Sequence, residues 1–549
     1  MKALYKMVAT SAIHDGKRDT QDYTDVCHPG TREEYLENLK AWADKAPPET
    51  RVEWVNAIAG AGKTAMLRSF CTLLEDQGVP PFSFFVWKGD AKRNTLEHFP
   101  ATIAHQLCQM FPVLVSLVEK AINAAPFLLQ STFKKQMDKL FIGPLLEACD
   151  TIKTECHLII VLDGLDELDA KGQTELLNFI PYLISRLSTL PISLLVSSRP
   201  DPQIVGAFNH PKLSSITRAT RLGASDADIR KFLEDKFEDI NLRHPHLRIE
   251  HGVGGKWPGD KKLKIMIKQS SGLFIWPTVA IGHIDKVEKA LDHNARLEQV
   301  LSSAAKPWIG SPLDNLYRTI LEAHAPEDRT SYAFFRFKRR LALLCILELF
   351  FFHVRKIGKQ VFDCADVPVR AIFGETLDEL WSSVAGLSSF FLPRRPLSEE
   401  DSPAPSISHL SLRDFTFNKE RCGEELYYSS EQELRAEVIS EFITFINTPQ
   451  GYQVRNLTHY VGLFNTFVKN IAEMGAWSIF RIGQFLAHQL KQAALSEKVG
   501  SCVDDIVLDF VPRTWPLVTQ VFTAIHLFDP LYMAAGKPVS ELLIALVRY

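Results

Sequence analysis

The segment Glu53-Trp-Val-Asn-Ala-Ile-Ala-Gly-Ala-Gly-Lys-Thr64 constrains this chain more than any other, because a short apolar strand, a turn of small residues and a Gly-Lys-Thr helix start follow one another directly. Small residues let backbone N–H groups crowd an anion, and the helix expected from Ala65 to Leu74 points its positive end at the same place. Ala59, Gly60, Ala61, Gly62, Lys63, Thr64 and Ala65 are therefore candidate phosphate-binding residues. Lys63 would sit on the β/γ-phosphates and the Thr64 hydroxyl on Mg²⁺. The pattern G-x-x-x-x-G-K-[ST] asks for glycine where this chain has Ala57. A structural turn or a degenerate loop is the competing reading.

A second feature matches the first. Cys156-His-Leu-Ile-Ile-Val-Leu162 is a continuous apolar run, as expected for a strand buried on both faces of a parallel sheet. It ends in Asp163-Gly-Leu-Asp-Glu167. An aspartate at the tip of such a strand can hold Mg²⁺, which makes Asp163 the second candidate metal residue, and Asp166 or Glu167 could orient or deprotonate an attacking water. Glu167 is preferred because it stands farther from Asp163 in sequence. The alternative is a solvated acidic loop. A third strand, Ile192-Ser-Leu-Leu-Val-Ser-Ser198, delivers Arg199 to the same sheet edge, where it could sense a γ-phosphate or act as a loop cation paired with Asp201.

Strand and helix patterns alternate from about residue 48 to about 205, the signature of a doubly wound parallel α/β sheet. Phe99 to Met110 reads as an amphipathic helix, and Thr31 with Glu34 as a capping box ahead of it in the chain. Beyond Ala224 strands largely disappear. Ile229 to Phe237 has the spacing of a helix with one buried stripe, and Leu247 to Lys262, with four glycines, reads as a loop. The domain boundaries expected are a lead-in over 1–47, a nucleotide core over 48–215, a helical domain over 216–305, a winged-helix-like domain over 306–425 and a predominantly helical region over 426–549, without repeats.

At 549 residues the chain exceeds what one core usually organises. Its 62 basic and 65 acidic residues leave a net charge of −3, which provides no broad attraction to nucleic acid or an anionic membrane. Nine cysteines without a C-x-x-C pair argue for reduced thiols in the cytosol and against a zinc site. The amino terminus is too short in apolar residues for a signal peptide. The longest apolar run, Leu341 to Phe352, is interrupted by Glu348 and falls short of the ~20 residues a membrane span needs, so a buried helix is expected.

Several further segments accompany these motifs: Cys27-His-Pro-Gly-Thr-Arg-Glu-Glu34, Ser83-Phe-Phe-Val-Trp-Lys-Gly-Asp90, Thr102-Ile-Ala-His-Gln-Leu107, Val196-Ser-Ser-Arg-Pro200, Ser271-Gly-Leu-Phe-Ile-Trp276, Leu313-Asp-Asn-Leu-Tyr317 and His409-Leu-Ser-Leu-Arg-Asp-Phe415. Together with the loop and the acidic motif, they resemble the NACHT NTPases of the STAND class, specifically the large group in mushroom-forming fungi, over roughly residues 10 to 425. The resemblance implies a NOD-like receptor-type signalling switch, as in innate immunity, cytoplasmic, controlled by ATP and ADP with Mg²⁺ and with slow hydrolysis. It also implies protein partners and a possible homo-oligomer on activation. In related proteins the histidine of the last segment touches bound ADP, which would make His409 the latch of the resting state; the alternative is a histidine packed near a helix start. Pro277, and the apolar continuation after Arg336 where a polar turn is usual, depart from the family pattern. The competing functions are a constitutive ATPase acting on a macromolecule and a scaffold that has lost turnover.

Overall fold

The computed structural model describes residues 1–438 apart from internal stretches, of which 17–25, 352–378 and 394–404 are the longest. Of the predominantly helical region expected over 426–549, everything after 438 lies outside the described residues. The chain forms two compact units. The first comprises 1–324 with 386–392 and 408–411; the second takes 325–385, 393–407 and everything after 411. The division falls inside the span expected to be a winged-helix domain.

In the first unit, five strands form one sheet: β1 (Val52–Asn56), β2 (Phe82–Phe85), β3 (Leu158–Asp163), β4 (Ile192–Ser198) and β5 (Thr217–Arg221). Their spatial order is β2-β3-β4-β1-β5 and every pairing is parallel. The α/β class and the three apolar strands read from sequence are thus present, with β4 wedged between the strand that feeds the glycine loop and the strand that ends in Asp163. Side chains alternate between faces. Trp54, Phe84, Ile160, Leu162, Leu194 and Val196 join one core, and Val55, Phe85, Ile159, Val161 and Leu195 join the other. Burying side chains of this size contributes about 1.5–3 kcal/mol each, so burial on both faces holds each strand in register.

The helices that cover the sheet follow from the same apolar periodicity. α1 spans Glu33–Asp44, α2 Lys63–Asp76, α3 Phe99–Met110 and α4 Ala170–Arg186. α2 presents Met66, Phe70 and Leu74 to one core, while α3 and α4 present Ile103, Leu107, Ile180 and Leu183 to the other. β5 carries no apolar signal, and so the sheet runs past residue 215, where the nucleotide core was expected to end. Two of its polar side chains meet a fully buried carboxylate: Glu53 accepts from Arg218 Nε and from Thr220 Oγ1, each at 2.5 Å.

The rest of this unit is helical: α5 (Asp226–Arg243), α6 (Asp260–Ser270), α7 (Ile275–Ile284), α8 (His293–Ser302) and α9 (Pro312–His324). Pro277 falls in the first turn of α7, where a missing N–H is tolerated. Two expectations need correction. Helix α1 accepts its first bond at Arg32, whose carbonyl takes the Leu36 N–H, while the Thr31 hydroxyl donates to His28 O; Thr31 and Glu34 form no capping box. The glycine-rich segment 247–262 is not loop throughout, because α6 begins at Asp260 and Trp257 is core, 1% exposed.

In the second unit, α10 (Tyr332–Phe351) runs unbroken through the apolar segment, and Leu341 to Ile346 are buried. Among the described residues no helix is long and apolar enough to cross a membrane.

Candidate functional site

The glycine loop joins β1 to α2, and its shape is set by two left-handed residues, Gly60 (φ 79°) and Gly62 (φ 89°). Ala57 is not left-handed, so its methyl group, buried at 4% exposure, introduces no backbone strain where the pattern calls for glycine. A side chain on Gly62 would meet nothing within 4 Å, which leaves the backbone open to a ligand. The first N–H groups of α2 have no intrahelical acceptor and open onto the same concavity. Lys63 Nζ donates to Ala57 O at 2.7 Å and Ile58 O at 3.3 Å, curling over the loop; burial pulls its pKa down. These groups fit a polyphosphate.

The metal candidates meet across the sheet. Thr64 Oγ1 donates to Asp163 Oδ2 at 2.6 Å, and the second oxygen of Asp163 accepts from Ser197 Oγ at 2.5 Å. Ser197 in turn accepts the Gly164 N–H at 3.0 Å. A carboxylate and a hydroxyl side by side are the hard oxygen donors that Mg²⁺ takes. Ser197 was missed from sequence, although the Val196-Ser-Ser-Arg-Pro200 segment contains it. What sequence lacked was β4's place beside β3.

The acidic pair divides. Both oxygens of Asp166 are committed to Arg199, one to its backbone N–H at 2.9 Å and one to Nε at 3.1 Å. Glu167 accepts the Lys88 N–H at 3.1 Å from the end of β2. Burial, then the nearby charge of Asp166, pushes the Glu167 carboxyl up to about 7, whereas Asp166 is raised by burial and held back by Arg199 and Lys63. A carboxyl titrating near neutrality suits proton transfer. Arg199 reaches the sheet edge as expected, tied there to Asp166.

Two residues from distant parts of the sequence grip the loop, and a third lies beside it. Arg32 Nη2 donates to Ala61 O at 2.7 Å while Nη1 reaches Gly223 O and the guanidinium lies 4.9 Å over the Phe274 ring. The left-handed pair Ser271 and Gly272 ends α6 and turns the chain so that the Ile275 N–H donates to Gly60 O at 3.1 Å. A methyl group on Gly60 would lie 2.2 Å from Ile275 Cγ2 and 3.9 Å from Cε1 of His409. His409 Nδ1 accepts the Ser411 N–H at 3.0 Å, which leaves the proton of a neutral ring on Nε2. The Ser411 hydroxyl links that ring, at 2.7 Å, to Tyr317 Oη at 2.6 Å. Sequence reasoning gave neither Arg32 nor Ile275 a role, although both lie in segments that it quoted.

Gly60→Ala tests this grip. The left-handed backbone costs a non-glycine residue about 1–2 kcal/mol, and the added methyl displaces Ile275. Hydrogen exchange at the Ile275 amide should quicken by at least roughly tenfold; unchanged exchange would mean that α7 does not hold the loop.

The nephrocystin 3 N-terminal family model matches residues 30–199, a span holding Arg32, the glycine loop, Asp163, Glu167 and Arg199. The chain carries a parallel α/β fold with the glycine loop set between β1 and α2. No curated protein is significantly similar to it. Among solved structures, a Walker-type ATPase of Pyrococcus abyssi is 14% identical with a TM-score of 0.33, covering 73% of this chain and 98% of its own. Cdc6p from Pyrobaculum aerophilum is 14% identical with a TM-score of 0.30, over 76% and 98%. AMPPCP-bound DnaA of Aquifex aeolicus is 11% identical with a TM-score of 0.29, over 70% and 90%. At these scores the likenesses say nothing of function.

Proposed function

We propose that the protein is an ATP/ADP-controlled switch of the NACHT/STAND class, cytoplasmic, which hydrolyses its nucleotide slowly and signals to protein partners through an opened, self-associating form. The observation that carries this reading is the grip on Gly60. The same loop that would cradle phosphates is bonded to Ile275, in the proposed helical domain over 216–305, and lies near His409, in the proposed winged-helix domain over 306–425, whose Cε1 would be 3.9 Å from a methyl group on Gly60. A ligand shifts such an equilibrium only through contacts that differ between its states. An ion pair like Arg199–Asp166 and a close approach like that of His409 to Gly60 are the kind that an added γ-phosphate would disturb.

In this reading Ala59 to Ala65 bind the phosphates and Lys63 leaves its loop carbonyls for them. Thr64 and Asp163 would hold Mg²⁺, which when bound neutralises phosphate charge. Glu167 orients and deprotonates the attacking water, Asp166 positions Arg199, and His409 donates from Nε2 to the ADP β-phosphate.

His409→Ala tests the latch. Loss of a buried contact to a charged group costs about 1–3 kcal/mol, so ADP should leave roughly five- to 150-fold faster, and the particle should enlarge in small-angle scattering. Equal ADP release from an equally compact variant would remove His409 from the mechanism. Fast turnover stimulated by a macromolecule would instead identify a constitutive ATPase.

A further inference from the structure

Away from the nucleotide site, the helical part of the first unit gathers three metal-binding side chains at the ends of three helices. His244 follows the last residue of α5, Asp285 follows the last residue of α7, and His293 opens α8. Their ligand atoms all lie within 4.8 Å of one another, and the His244 and His293 rings are 4.3 Å apart. His293 is 2% exposed, yet among the described residues its Nε2 has no hydrogen-bond partner. A buried polar atom left without a partner is costly and rare, which marks this nitrogen as one that something else engages.

We propose that His244, Asp285 and His293 form a binding site for a divalent transition-metal ion of the zinc type. Two imidazoles and one carboxylate suit zinc and its neighbours and are poor ligands for Mg²⁺ or Ca²⁺, which take oxygen. The surroundings favour a cation. α5 and α7 direct the negative ends of their dipoles at the site, against the single positive end of α8. That positive end is itself offset by Asp292, which accepts the Ala295 N–H at 2.7 Å.

The outer shell is built as well. Arg243 grips both oxygens of Asp285, at 2.8 and 3.0 Å, fixing the carboxylate while each oxygen keeps a further lone pair for a metal. Trp257, buried edge-on against His293, donates from Nε1 to Asn294 Oδ1 at 2.7 Å and walls the inner side. A tetrahedral site with metal–nitrogen bonds of about 2.0–2.1 Å needs donors roughly 3.3 Å apart, so closure takes at most about 1.5 Å of side-chain movement. Water fills the fourth position. The ion staples the end of α5 to the end of α7 and the start of α8, far in sequence from Thr64 and Asp163. A search for paired cysteines passes over such a site, because its ligands are imidazoles and a carboxylate.

The test is Zn²⁺ calorimetry and Co²⁺ absorption on the chelator-treated, nucleotide-free full chain. The result expected is one ion per chain, visible Co²⁺ d–d bands without a thiolate charge-transfer band, and unchanged binding in Asp163→Asn. His244→Gln and Asp285→Asn, both at partly exposed positions, should retain the circular dichroism of the parent. They should bind at least roughly a hundredfold more weakly, since loss of an outer-shell partner alone costs up to that much. No Zn²⁺ binding by the parent, thiolate bands, loss of binding in Asp163→Asn, or parent-like affinity in His244→Gln would each overturn the proposal.

Discussion

Lys63→Ala should abolish nucleotide retention, with ATP affinity falling at least roughly a hundredfold. Lys63 is the one cation on the loop itself, and in this structure its ammonium already donates two bonds to the carbonyls of Ala57 and Ile58. Those acceptors are neutral. Phosphate oxygens are charged and hold the same donors more strongly, and each charge-assisted bond is worth about 1.5–3 kcal/mol net. Two such bonds lost give about 3–6 kcal/mol, more than two powers of ten in affinity. The fold should survive, because the side chain bonds only to its own loop and the core contacts of α2 come from Met66, Phe70 and Leu74. Fluorescence titration with an ATP analogue, alongside a circular-dichroism melt, separates the two effects. Equal affinity in variant and parent would sink the assignment of the loop.

Glu167→Gln should keep ATP bound but slow its hydrolysis by roughly 10²–10⁴-fold, the usual contribution of a positioned general base. The acid–base logic gives the sign of the pH dependence. Burial and the charge of Asp166 place the Glu167 carboxyl at about 7, so the ionised, proton-accepting form grows as pH rises through that value. The parent rate should therefore climb between about pH 6 and 8 and then level off, while the residual rate of the glutamine variant should be flat across the same window. Single-turnover hydrolysis measured across that range reads both outcomes. Should Asp166→Asn be dead while Glu167→Gln turns over at the parent rate, the roles of the pair are reversed. The geometry already separates them: Asp166 has both oxygens bonded to Arg199, and the one Glu167 contact described is a single backbone N–H.

Much of this architecture could be read from the chain because its signals are local. A strand buried on both faces must be apolar throughout, and Leu158 to Leu162 and Ile192 to Val196 obey that rule apart from Ser193. The apolar stripe from Phe99 to Met110 specified a helix with the bounds that α3 has. The left-handed turns of the loop required glycines, and Gly60 and Gly62 stand there. In each case the determinant is a periodicity or a backbone angle, and both are properties of consecutive residues.

What only the tertiary structure decided involves residues with no periodic or positional signature. β5 escaped because Thr217 to Arg221 is polar; it is a strand because Glu53, fully buried one strand away, satisfies Arg218 and Thr220. The Asp163 partner Ser197 was set by strand order, since nothing in sequence says that β4 lies between β1 and β3. Arg32, Ile275 and His409 come from before, after and far after the sheet, and only folding brings them to one loop. The sequence by itself determined the apolar strands, the helices with an apolar stripe and the residues that can face a phosphate. The tertiary structure decided which distant side chains hold that loop, because hydrogen bonds between remote segments depend on register and strand order, which no short window of residues encodes.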